Sequence, residues 1–145
     1  MIMLPAGKYY IGDLCYVIHN TDTWHEITNL VFPRWGETVE GEFTLKSGVR
    51  IANFRTQWGD GDYEDQEGNS YPVDSGSIGC ILVSDIDDSD TQNDTMMGTI
   101  HEFTEPFEVS TNDGVLNFGP IWIDTNPDYP DEYESDDIGF DENDY

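Results

Sequence analysis

Basic residues are scarce in this chain: five Lys and Arg stand against 31 Asp and Glu in 145 residues, for a formal net charge of −26. The scarcity is also one-sided. Lys8, Arg34, Lys46, Arg50 and Arg55 all precede position 56, where six acids against five bases leave −1, while the other 25 acids lie in residues 56–145 with no Lys or Arg among them. Such a surface repels nucleic-acid phosphates and anionic membranes alike, which excludes unaided binding to either. Long apolar runs are missing too: none approaches the ~20 residues that span a bilayer. The opening Met1-Ile-Met-Leu-Pro-Ala-Gly-Lys8 has neither the basic start nor the apolar stretch of a signal peptide. The expectation is a cytoplasmic protein. Cysteine is limited to Cys15 and Cys80, both in apolar stretches that read as strands, so buried free thiols are expected, with a mutual disulfide as the alternative. His19, His25 and His101 make no close pair with either cysteine, which excludes a zinc site. Cys15 has no placed base that would make it a nucleophile.

What is present suits one domain with a modest core, since 37% of the residues are hydrophobic and 13% aromatic. Short segments rich in β-branched and aromatic residues recur between Gly, Asn and Asp clusters, the pattern of a mostly β chain. They predict strands over 8–12, 14–18, 41–45, 50–56, 70–73, 78–83, 98–103, 107–110, 115–118 and 121–123. One helix interrupts them. In 21–32 the residues Trp24, Ile27, Leu30 and Val31 repeat at three and four; Thr21, Asp22 and Thr23 offer capping oxygens, Glu26 stands three after Thr23 as in a capping box, and Pro33 stops the run. Lys46-Ser-Gly48, Glu67-Gly-Asn69 and Asn112-Asp-Gly114 read as hairpin turns. The expected fold is a small antiparallel β-sandwich or partly open barrel over residues 1–123, followed by an acidic tail, 124–145. That tail holds ten acids interleaved with Tyr129, Tyr133, Ile138, Phe140 and Tyr145.

Three stretches carry a resemblance: Tyr10-Ile-Gly-Asp-Leu-Cys-Tyr-Val-Ile18, Thr56-Gln-Trp-Gly-Asp-Gly-Asp-Tyr-Glu-Asp65 and Tyr71-Pro-Val-Asp-Ser-Gly-Ser-Ile-Gly79. Together they resemble a set of short phage and bacterial proteins that open with a Tyr-x-Ile-Gly-Asp-Pro-Cys-Tyr-Val strand and continue with Gly-Asp-Gly and Val-Asp-x-Gly motifs. Leu14 stands where that pattern has Pro, and Trp58 where it has Tyr or another aromatic. The resemblance covers residues 8–83. It implies a small β-fold and a phage or mobile-element origin, and no particular chemistry.

Asp60, Asp62 and Glu64 recur at every second position, so an extended backbone places them on one face about 6.6–6.8 Å apart. Two base-pair steps of DNA rise nearly the same distance along the helix axis, at about 3.4 Å per phosphate on one strand. A row of strand-borne carboxylates can therefore mimic a row of phosphates. The calcium-loop reading of the same acids fails, because position six is Asp65 rather than Gly and position twelve is Tyr71 rather than Glu. The oxygen-rich run Asp85–Asp94 lacks the same turn glycine and closing acid. Val73-Asp-Ser-Gly76 resembles one half of an aspartic-protease turn, which keeps a dimeric hydrolase using Asp74 as an alternative, although Asp74, like Asp13, also reads as a turn-maker.

The leading expectation is a non-enzymatic, phage-encoded inhibitor that mimics nucleic acid and fills the basic groove of a host nucleic-acid-binding protein, with no cofactor or metal. Its carboxylates would be Asp60, Asp62, Glu64, Asp65, Glu67, Asp85, Asp87, Asp88 and Asp90 with the tail acids Asp131, Glu132 and Glu134; Trp58, Tyr63 and Tyr129 would be apolar anchors. A phage structural or accessory protein whose acidic loops bind divalent cations is the other alternative.

Overall fold

Tyr9-Tyr10-Ile11, Ile51-Ala52-Asn53-Phe54 and Ile78-Gly79-Cys80-Ile81 are continuous runs with no polar face, the pattern of strands covered on both sides. The computed structural model describes residues 2–34, 37–86 and 97–126, and it puts those three runs at the centre of a sheet. The strands are β1 (Ile2–Leu4), β2 (Gly7–Gly12), β3 (Gly41–Thr44), β4 (Arg50–Arg55), β5 (Gly61–Glu64), β6 (Ser70–Val73), β7 (Ser77–Leu82), β8 (Gly98–Phe103), β9 (Phe107–Asn112), β10 (Val115–Phe118) and β11 (Ile121–Asp124). They form a five-stranded sheet ordered β3-β4-β7-β2-β8, a four-stranded sheet ordered β1-β9-β10-β11 and the hairpin β5-β6. Every strand pairing is antiparallel. The described residues form a small β-rich fold with one α-helix, as the short strand-like segments and the 21–32 periodicity predict.

The two larger sheets and the hairpin close on one core. Tyr9, Ile11, Phe54, Ile78 and Cys80 meet Leu4, Phe107, Val109, Leu116, Phe118 and Ile123, with Tyr71 and Val73 of the hairpin between them. The opposite face of the five-stranded sheet is covered by α1 (Thr21–Val31), whose Ile27 and Val31 pack on Tyr10, Ile51 and Ile81. Each such side chain contributes about 1.5–3 kcal/mol by leaving water.

A row of small residues crosses that sheet at one end. Gly98, Gly12, Gly79, Asn53 and Gly41 are successive partners on β8, β2, β7, β4 and β3. The Tyr10 ring lies over it: a Cβ on Gly12 or Gly98 would come within 2.8 Å of ring atoms, and one on Gly79 would collide with the Ala52 carbonyl oxygen.

Several expectations need correction. The run 14–18 is no strand: Leu14–Tyr16 is a single 3-10 turn, because the Asp13 side chain accepts the Cys15 N–H and caps it. The helix cap is Asn20, whose Oδ1 accepts the Thr23 N–H at 3.0 Å. Glu26 closes no capping box; it accepts the Lys46 N–H at 2.6 Å and ties the helix to the β3–β4 turn. The short first strand β1 and strand β5 had no place among the predicted strands. Cys15 and Cys80 are free thiols. The predicted turn at 112–114 forms, with Asp113 and Gly114 at φ 53° and 84°, the pair of left-handed residues of a type I′ hairpin.

Candidate functional site

The β5–β6 hairpin is organised by one carboxylate. Asp65 accepts the Glu67 N–H (2.9 Å), the Asn69 N–H (3.0 Å), the Asn69 side-chain amide (3.1 Å) and the Tyr71 hydroxyl (2.7 Å). Tyr71 in turn shares a 3.0 Å hydrogen bond with Thr99 on β8. Burial alone would raise the Asp65 carboxyl, but the bonds from Tyr71, Asn69 and Glu67 outweigh it and hold it below the ordinary aspartate value. Burial pushes the Tyr71 phenol above its usual range, so it stays a donor.

The hairpin is then stitched to β11. Asp65 bridges Ile123, and the Gln66 side chain donates to the Pro120 carbonyl (2.8 Å) while accepting the Trp122 N–H (3.0 Å). Farther along, the Gln57 N–H reaches Thr125 Oγ1 at 2.9 Å. Among these ties lies an open cleft of about 820 Å³, lined by Trp58, Asp60, Asp62, Tyr63, Glu64, Asp65, Gln66, Trp122, Asp124, Thr125 and Asn126. Its lining has five carboxylates and no Lys, Arg or His. Two indoles stand open in it: Trp58 is 59% exposed and Trp122 47%.

No protein-family model, curated protein or solved structure matches the chain. What the cleft can do must come from its own residues.

The structure gathers Trp58, Asp60, Asp62, Tyr63 and Glu64 as the sequence grouped them. Only Asp62 and Glu64 belong to β5; Asp60 sits in the bend before it, so the row of three on one strand is a row of two with a third acid alongside. Asp65 is a correction. It is buried, and its oxygens are taken up by the hairpin, so it shapes the cleft and offers no carboxylate to a partner. Glu67 lies in an adjoining hollow of about 440 Å³ with Thr99, Ile100, His101 and Pro120. Asp85 is elsewhere, lining a separate cavity with Val17, Ile18 and Leu45 on the helix side of the sheet. Glu102, Glu105 and Glu108 form a further acidic patch. Asp87, Asp88, Asp90, Tyr129, Asp131, Glu132, Glu134 and the rest of the tail beyond Asn126 lie outside the described residues.

Sequence reasoning missed Trp122 and Asp124. The alternation in Ile121-Trp-Ile-Asp124 carried the signal: Ile121 and Ile123 are buried, so Trp122 and Asp124 share the outer face. Asp74 is exposed, and its backbone N–H is bound to Asp13. Among the described residues no group of three His, Cys, Asp or Glu is arranged to hold a metal ion, and no helix is long and apolar enough to cross a membrane. Burial raises the Cys15 thiol, with the Asp13 charge adding to it, and lifts Cys80 to about 12.

Proposed function

We propose that this chain is a non-enzymatic acidic binding protein that occupies the basic, nucleic-acid-binding groove of a partner protein. The observation that carries the reading is the cleft between β5 and β11, where exposed carboxylates of Asp60, Asp62, Glu64 and Asp124 adjoin two open indoles with no cation among the lining residues. Asp62 and Glu64 repeat along β5 with a strand spacing of about 6.6–6.8 Å, close to the axial rise of two base-pair steps of DNA at about 3.4 Å each. Lys and Arg that meet phosphates would meet these carboxylates instead, and the net charge of −26 would steer the approach. The resemblance of residues 8–83 to short phage proteins bears on origin alone and fits a protein made during infection; the inhibitory role in the host cytoplasm rests on the charge and the cleft.

The test is a pull-down from host lysate with the full chain and with the triple variant Asp60→Asn/Asp62→Asn/Glu64→Gln, at about 50 and about 200 mM salt. Basic nucleic-acid-binding proteins should be enriched at the lower salt, released by added DNA, and lost with the variant. Equal capture by both chains, or no enrichment of such proteins, overturns the reading.

A further inference from the structure

The cleft also indicates which cationic group it takes. Trp58 and Trp122 are two of the five large hydrophobic residues exposed among the described ones, and both line this one hollow. By contrast, Trp24 packs against the core beneath α1. Leaving two indoles in water costs apolar area, and an indole face is the negative side of the ring quadrupole.

We infer that the preferred occupant is an arginine side chain of the partner, its guanidinium stacked on the Trp58 or Trp122 indole and its N–H groups directed to the carboxylates of Asp60, Asp62, Glu64 or Asp124. This rests on the reading of the chain as a binder of basic partners. Charge complementarity selects a cation, since the cleft holds no basic side chain of its own. An uncharged apolar segment would desolvate carboxylates and leave them unpaired. A metal ion would gain nothing from the indoles, which have no oxygen to give it. Between the two basic side chains, the lysine ammonium is compact and strongly hydrated, whereas the guanidinium is planar, weakly hydrated, stacks on aromatic faces and forks a carboxylate with two parallel N–H groups. Flat aromatic walls beside acceptor-only groups suit the second.

The test uses three peptides of one length with four arginines, four lysines or four citrullines spaced by Gly-Ser, titrated into the full chain by calorimetry and tryptophan fluorescence. The arginine peptide should bind about fivefold or more tighter than the lysine peptide, and the citrulline peptide should fail to bind. Replacing either exposed indole, Trp58→Leu or Trp122→Leu, should weaken the arginine peptide about two- to fivefold and the lysine peptide less, bringing the ratio toward one. Equal affinity for arginine and lysine in the unmodified chain overturns the guanidinium assignment and leaves the cationic reading standing. Binding of citrulline as tight as arginine, or no binding of any peptide, overturns both.

Discussion

The Asp13 carboxylate accepts the backbone N–H of Asp74 at 2.7 Å, joining two turns 61 residues apart. The same side chain takes the Ser75 N–H (2.7 Å), the Ser75 hydroxyl (2.8 Å) and the Cys15 N–H (3.0 Å), and it is fully buried. Gly12-Asp13 and Val73-Asp-Ser-Gly76 thus form one structural unit, in which Asp13 supplies its carboxylate and Asp74 only its backbone.

Asp13→Ala should therefore destabilise the fold by about 2–4 kcal/mol, because buried donors lose their acceptor. Asp74→Ala, which keeps the backbone N–H, should cost under about 0.5 kcal/mol, as exposed substitutions do. Urea midpoints of the two variants check this; similar shifts would remove Asp13 from its role.

Asp65 makes stability depend on acid pH. Its folded carboxyl titrates below the ordinary value of 3.8, so as pH falls the unfolded chain takes up its proton first. The stability it contributes is complete above roughly pH 5 and is lost as pH falls through the folded value. Tyr71→Phe removes one of the bonds holding the carboxyl down. It should raise the Asp65 titration toward the ordinary value in carbon-detected NMR and cost about 1–2 kcal/mol near neutral pH. An unmoved titration would show that the hydroxyl has no hold on Asp65.

Much of the sheet was legible because its strands are short apolar runs bounded by turn residues, and the three hairpin turns announced themselves through Gly and Asn. The misplaced strand at 14–18 shows the limit. Leu14, Cys15 and Val17 have a strand's composition, yet the Asp13 side chain offers a local acceptor that competes with a ladder. In the same way Asp65 looked like one more surface acid, and only the folded hairpin reveals four donors converging on it. The cleft itself was half legible. Its β5 wall lies in the acidic run Asp60–Glu67, but its β11 wall comes from some sixty residues later, and nothing local says that Trp122 lines the same cleft as Asp62.

Gly79 in the glycine row and Gly68 in the β5–β6 turn are glycines for two different reasons. At Gly79 the backbone conformation is ordinary and the space is taken by the Ala52 carbonyl, Asn53 and Leu14; at Gly68 the space is open and φ is +84°. Gly79→Ala should cost about 2–3 kcal/mol through overpacking, and Gly68→Ala about 1–2 kcal/mol through left-handed backbone strain. Gly68→Asn should recover part of the loss, whereas Gly79→Asn should be worse than Gly79→Ala. Thermal unfolding of the four variants reads the pattern.

The acids of the cleft and those of the 102–108 segment carry the same charge but have different neighbours, which allows general repulsion to be told apart from recognition. With so large a negative excess, screening should raise the melting temperature of the unmodified chain as salt goes from about 10 to about 200 mM, where the Debye length falls from about 30 to about 7 Å. Asp62→Asn/Glu64→Gln and Glu102→Gln/Glu105→Gln each remove two charges, so both should raise the melting temperature at low salt by about a few degrees, with the gain fading at high salt. Two indoles adjoin the first pair and not the second. Binding of the arginine peptide should therefore fall about tenfold in the first variant and less than about twofold in the second, since exposed charges act weakly at a distance in salt. Equal losses in both would mean that the protein attracts cations by total charge and that the cleft selects nothing.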